Sequence, residues 1–168
     1  KLKHLWVKAE FAKRELQDIG VQSKLFPCLI DQTKFYPLPA PERSLLRKQC
    51  GLEDVFVVGF VFRNQLRKLV TLLMEGYKIF LDKHKIKSKL LLHTNFSEPA
   101  GWNILGAAKE LGIDRNDILT SYKCKNCRAA QIAPFAGNEI NCPACGKEKG
   151  LLNVDINHGF TEQELNNV

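Results

Sequence analysis

Four of the six cysteines fall in two short pairs, Cys124-Lys-Asn-Cys127 and Cys142-Pro-Ala-Cys145-Gly146. A C-x-x-C knuckle turns its two sulfurs toward one point, so two knuckles in tandem predict a tetrahedral four-thiolate site for zinc. Four thiolates leave no coordination position for water or substrate. The expected ion is therefore structural, and the chemistry of the chain must be sought elsewhere.

The other residues with chemical promise lie just past the apolar runs. Val55 to Phe62 is β-branched and aromatic and predicts a central strand buried on both faces of a parallel sheet. Arg63 closes it, and Lys68 follows five positions later, about one turn into the next predicted helix. Two cations near a helix start suit a diphosphate. His93 and Thr94 end the second strand, Lys89 to His93, while His158 and Gly159 follow a later one, Leu151 to Ile156. In open α/β sheets ligands gather at these carboxyl ends.

The elements that would position these groups can be read from periodicity. Leu5, Ala9, Ala12, Leu16 and Ile19 repeat at helical spacing up to Gly20, and four prolines between Phe26 and Pro41 mark a link. Pro41 to Cys50 reads as a short helix ended by Gly51. Leu66, Val70, Leu73, Tyr77 and Phe80 predict one long helix, Ile104 to Leu111 another closed by Gly112, and Asp117 to Tyr122 a third strand. This alternation of strand and helix predicts an α/β fold with a Rossmann-like parallel sheet. Residues 123–149 form an inserted zinc ribbon, after which strand and helix resume. Thr161 and Glu164 have capping-box spacing. The expected organisation is a helix and link over 1–40, the first part of the α/β domain over 41–122, the ribbon over 123–149 and the domain's continuation over 150–168.

Composition narrows the class. The net charge of +7 favours an anionic partner, although much of it sits in the run Lys78, Lys83, His84, Lys85, Lys87 and Lys89, which reads as a solvated helix end. No apolar run reaches the length of a membrane span. Zinc-held thiols fit a reducing, cytoplasmic setting, with Cys28 and Cys50 expected as buried small hydrophobes. Neither a G-x-x-x-x-G-K-[ST] loop nor a G-x-G-x-x-G turn is present, which argues against a phosphate-loop ATPase and a dinucleotide-dependent dehydrogenase.

The stretch Phe56 to Lys68, then Leu90-Leu-Leu-His-Thr94 and Asn103 through Gly112, resembles the C-terminal donor-binding domain of retaining GT-B glycosyltransferases of the group 1 type. Trp6 to Lys13 with Glu15-Leu-x-x-x-Gly20 resembles the helix before that family's interdomain link, and Asp31-x-x-x-Phe35-x-Pro37 resembles the link itself. The resemblance implies a nucleotide-sugar donor, with Arg63 and Lys68 on its diphosphate and the Gly159 to Leu165 segment beside the nucleotide base. His93, Thr94 and His158 are candidates for the same loop cluster. Phe62 and Ile30 stand where the family has glycine. The family's paired glutamates are expected beyond Val168 and its acceptor domain before Lys1, so the chain reads as part of a longer enzyme, binding nucleotide weakly and inactive alone. The alternative is a ribbon-borne module for nucleic acid or protein, using Lys123, Lys125, Arg128, Lys147 and Lys149 with Tyr122 and Phe135.

Overall fold

The computed structural model describes residues 5–27, 29–155 and 157–166, so Cys28 and the end of the strand expected at Ile156 lie outside the described residues. The chain divides into two compact units, Lys1–Tyr36 and Pro37–Val168. In the first, β1 (Trp6–Val7) and β2 (Lys24–Leu25) pair in parallel around α1 (Glu10–Asp18). The helix starts later than the Leu5 periodicity predicts, because Trp6 is taken by the strand and packs edge-on to Phe26, with ring centroids 6.1 Å apart. Gly20 ends the helix region at φ 77°, where a side chain is disfavoured. In the link, Asp31 accepts hydrogen bonds from the Thr33 amide (3.0 Å) and hydroxyl (2.6 Å). These bonds stabilise the carboxylate and lower its pKa.

The second unit is an α/β structure with a mixed six-stranded sheet. After α2 (Ala40–Gln49), β3 (Phe56–Val61), β4 (Ser88–His93) and β5 (Ile118–Cys124) run parallel, joined by α3 (Val70–His84) and α4 (Ile104–Glu110). Side chains alternate between the faces of β4. Leu90 and Leu92 join Val70, Met74, Tyr77, Ile104, Ala108 and Ile118 in the main core. Leu91 turns the other way, to Leu52, Val55 and Leu119.

Beyond β5 the parallel pattern stops. The chain forms β6 (Ala130–Pro134), β7 (Glu139–Ile140) and β8 (Leu151–Asn153), and β6 and β8 both run antiparallel to β5. A parallel return would need a crossover of a dozen or more residues, usually helical. The cysteine segment instead reverses direction in tight turns, so the sheet is mixed rather than wholly parallel.

Three other expectations are corrected. Among the described residues β3 is an edge strand, with the order β3-β4-β5-β8-β7, and Phe56 and Val61 are 53% and 54% exposed. An unbroken apolar run does not distinguish a doubly covered strand from an edge whose neighbours are apolar. The helix expected from Leu66 begins only at Val70. Residues Leu66–Lys68 form a 3-10 turn and Leu69 takes a left-handed conformation (φ 48°), while the Trp102 indole holds the Leu66 carbonyl at 3.0 Å. Cys50, expected in the core, is exposed at the end of α2.

Met74, fully buried between helix and sheet, is a sharp test of this packing. Met74→Ala should lower the unfolding free energy by about 2–5 kcal/mol in a denaturant titration. Ile79→Ala, on the exposed side of the same helix at 67% exposure, should change it by no more than about 0.5 kcal/mol.

Candidate metal centre and strand-end residues

Cys124 is the last residue of β5, and its knuckle starts where the strand's pairing ends. Its amide donates to the Ala129 carbonyl (2.8 Å), and its carbonyl accepts from the Arg128 amide (3.1 Å). The second knuckle repeats this scheme. The Cys142 amide donates to Lys147 (2.9 Å), and the Cys142 carbonyl accepts from Gly146 (2.9 Å). Each knuckle is closed by a left-handed residue, Arg128 at φ 64° and Gly146 at φ 69°. Two copies of one turn thus face each other across the end of the sheet.

The four sulfurs all lie within 4.8 Å of one another. The Cys124–Cys145 and Cys127–Cys142 separations are 3.8 Å and 3.7 Å. Those are far beyond a disulfide bond, about 2.05 Å. They match the edge of a tetrahedron of sulfurs around an ion bound at about 2.3 Å, which is about 3.8 Å. Cys124 and Cys142 are buried with Tyr122 and Leu151, whereas Cys127 and Cys145 face outward. The cluster fits a metal ion.

Hydrogen bonds prepare some of these sulfurs as thiolates. The Asn126 side chain (3.5 Å) and the Lys147 amide push the Cys145 thiol down to about 6. Amides of Cys127 (3.5 Å) and Asn126 (3.4 Å) lower Cys124. Although the Ala129 amide favours its thiolate, burial and the three neighbouring sulfurs push Cys127 up to about 12. Such a group of four gains its last negative charge only when a cation shares it.

The strand-end candidates occupy the same carboxyl edge of the parallel strands. Arg63 follows β3, half exposed, with a guanidinium nitrogen 3.5 Å from Glu98. Lys68 sits in the 3-10 turn before α3, and α3 has no side-chain cap. His93 ends β4, with Nδ1 3.0 Å from the Ser121 hydroxyl and its ring edge-on to Phe160 at 5.1 Å. Burial disfavours the charged ring and lowers its pKa. Thr94 is buried, and among the described residues its hydroxyl and the side-chain oxygen of Gln65 have no hydrogen-bond partner. His158 donates from Nε2 to the Lys123 carbonyl at 2.7 Å, and Gly159 is exposed beside it. His93 and the 158–160 segment therefore meet at the end of β5, while Arg63 is tied to the loop after β4.

Several residues that order this edge carry no motif. Asn64, fully buried, accepts from the Trp102 amide (2.9 Å) and donates to the Trp102 carbonyl (3.1 Å). Gly101 is required beside it, since a Cβ there would come within 2.6 Å of the Asn64 side chain. Lys123, counted in the sequence among the solvent-facing basic residues of the ribbon, is 1% exposed and pairs with Glu164 at 2.6 Å. Glu164 also accepts from the Thr161 amide (2.6 Å), while its own amide donates to the Thr161 hydroxyl (3.2 Å), completing the capping box of α5 (Glu162–Asn166). Alternation along β5 turns Lys123 to the face opposite Tyr122 and Cys124, and both faces of that strand are buried.

No protein-family model matches the chain, and no curated protein or solved structure matches it either. The described residues contain no helix long and apolar enough to cross a membrane.

The chain should bind one cobalt(II) ion with intense thiolate-to-metal absorption, and Cys124→Ser or Cys142→Ser should abolish that signal. Because ligands must lose protons to bind, the metal should be released as the pH falls below neutrality, and retention of metal at pH 4 would contradict the cluster. For the buried pair, burial raises the Glu164 pKa, but the hydrogen bonds from Lys123 and Thr161 outweigh it and hold the value below normal. Its contribution is thus present above the ordinary carboxylate pKa and lost as the pH falls through the lowered one. Glu164→Gln should destabilise the chain more than Lys123→Met in thermal melts at pH 7, since only the former strands a buried charge.

Proposed function

We propose that the chain is the donor-binding part of a nucleotide-sugar-dependent retaining glycosyltransferase, stapled by a structural zinc ion on its four cysteines. The observation that carries the reading is the placement of Arg63, Lys68 and the buried Thr94 hydroxyl, which has no hydrogen-bond partner among the described residues, on loops that leave the carboxyl ends of two adjacent parallel strands. An uncapped helix start beside Lys68 adds amide dipoles favourable to phosphate. In this reading Arg63 and Lys68 neutralise the charge that builds on the diphosphate as the bond to the sugar breaks. Glu98 holds the arginine until the anion arrives. The closed thiolate site takes no part in the chemistry, and the resemblance to the GT-B donor domain supplies the reaction class.

The rival reading, nucleic-acid binding through the ribbon, has basic residues but lacks stacking surfaces. Lys125, Arg128, Lys147 and Lys149 are exposed, yet Tyr122 is fully buried and Phe135 is stacked on Phe96. Neither ring is free for a base.

Titration calorimetry with UDP, GDP and inorganic pyrophosphate tests the proposal. At least one nucleoside diphosphate should bind, and Arg63→Ala and Lys68→Ala should each weaken it about tenfold or more, as expected for loss of a charge-assisted hydrogen bond of about 1.5–3 kcal/mol. Unchanged affinity in the double variant would remove both residues from the role.

A further inference from the structure

The connection from β6 to β7, residues 135–138, crosses from one edge of β5 to the other and meets the loop that follows β4. The register explains how. Leu119 and Thr120 pair with both β4 and β6, and Tyr122 and Lys123 pair with both β6 and β8. β6 therefore covers one edge of β5, while β4 and β8 share the other edge in succession. β4 runs up that edge and β8 runs down it, so the two strands meet end to end, with the loop after His93 against Asn153.

Asn153 fills that junction. Its side-chain nitrogen donates to the Thr120 hydroxyl (3.0 Å) and the Ser121 carbonyl (3.2 Å), and its side-chain oxygen accepts from the Phe96 amide (3.0 Å). Its own amide donates to the Asn138 carbonyl in the β6–β7 connection (2.8 Å). From that connection, Phe135 stacks on Phe96 with centroids 4.4 Å apart and planes 9° from parallel, and Asn138 accepts from the Ser97 hydroxyl at 2.6 Å. The connection is itself fastened to the sheet, because the Tyr122 hydroxyl donates to the Gly137 carbonyl (3.0 Å) and accepts from the Ala136 amide (3.0 Å). One residue beyond Ser97 stands Glu98, the partner of Arg63.

We propose that the β6–β7 connection of the metal-stapled segment is a strut for the loop 94–98, and that Asn153 and Phe135 are positioning residues that set Glu98, and through it Arg63, at the strand-end site. An inserted segment that merely decorated the sheet would need neither a flat aromatic stack on this loop nor a side chain whose hydrogen-bonding groups are divided between sheet and loop. The role assigned to Arg63 rests on the donor-binding reading. The mechanical link from the β6–β7 connection to the loop does not.

Amide hydrogen exchange on the metal-loaded chain tests the strut directly. Asn153→Ala and Phe135→Leu should speed exchange at Phe96 and Ser97 at least tenfold while leaving Leu90 to Leu92 in β4 unchanged, with metal content preserved. Phe135→Tyr, which keeps the stack, should restore slow exchange. In the same variants pyrophosphate affinity should fall severalfold, and Phe135→Tyr should recover it. Removing the metal with a chelator should loosen the same loop before the sheet. Should Asn153→Ala unfold the chain, the milder Phe135→Leu carries the test. Exchange at Phe96 and Ser97 that stays at the parent rate in folded variants overturns the strut. Loosening of the loop without any change in pyrophosphate affinity overturns the link to Arg63. If the parent chain binds none of UDP, GDP and pyrophosphate, the donor-binding reading fails, and the strut still stands or falls on the exchange rates.

Discussion

The closure of four sulfurs at the end of β5 is the constraint on which the rest of the second unit depends. Cys124 belongs at once to the strand and to the cluster, so the strand cannot run on into a crossover helix. The core of this segment is small: Tyr122, Leu151, Cys124 and Cys142 are buried, with Ala129, Ala133, Phe135 and Ile140 partly buried against them. In small modules of this kind, metal binding supplies folding free energy of about 10–16 kcal/mol. That is enough to impose a reversal that the chain's apolar residues would not impose alone. The antiparallel return of β8 and its end-to-end meeting with β4 then follow from geometry.

The reversal also concentrates polar contacts at one edge of the sheet. Lys123 points inward from β5 and is charged and buried, which is tolerable only with Glu164 beside it. Glu164 in turn caps the helix on which it sits, and His158 takes up the Lys123 carbonyl. The terminal segment is thereby fixed over the end of β5, and Phe160 meets His93. On the other side Asn64 and Trp102 join the loops that follow β3 and β4. The strand-end groups proposed to meet a diphosphate thus stand on loops anchored from both flanks.

Much of this was legible in the sequence because it depends on local pattern. The cysteine spacing gives the cluster, the apolar periodicities give β3, α3, β4, α4 and β5, and Gly20, Gly51 and Gly112 all take the positive φ that a helix end requires. The Thr161–Glu164 capping box forms as its spacing predicts. What was not legible depends on distant partners. Strand direction after Cys145 is decided by how the knuckles turn, and Leu151 to Asn153 looks the same in either direction. The exposed edge of β3 and the exposed Cys50 reflect which neighbours cover them, which composition does not record. Leu69 leaves the helix because Trp102, 36 residues beyond Leu66, holds the preceding turn through the Leu66 carbonyl and Asn64. Asn153 carries no motif, and its importance arises only where two strands meet.

The most direct test of this account is X-ray absorption at the zinc edge of the purified chain. A first shell of four sulfurs at about 2.3 Å, with one zinc per chain, is the predicted result. A shell containing nitrogen or oxygen, or a folded chain without metal, would contradict the closure from which the antiparallel return and the strut are derived.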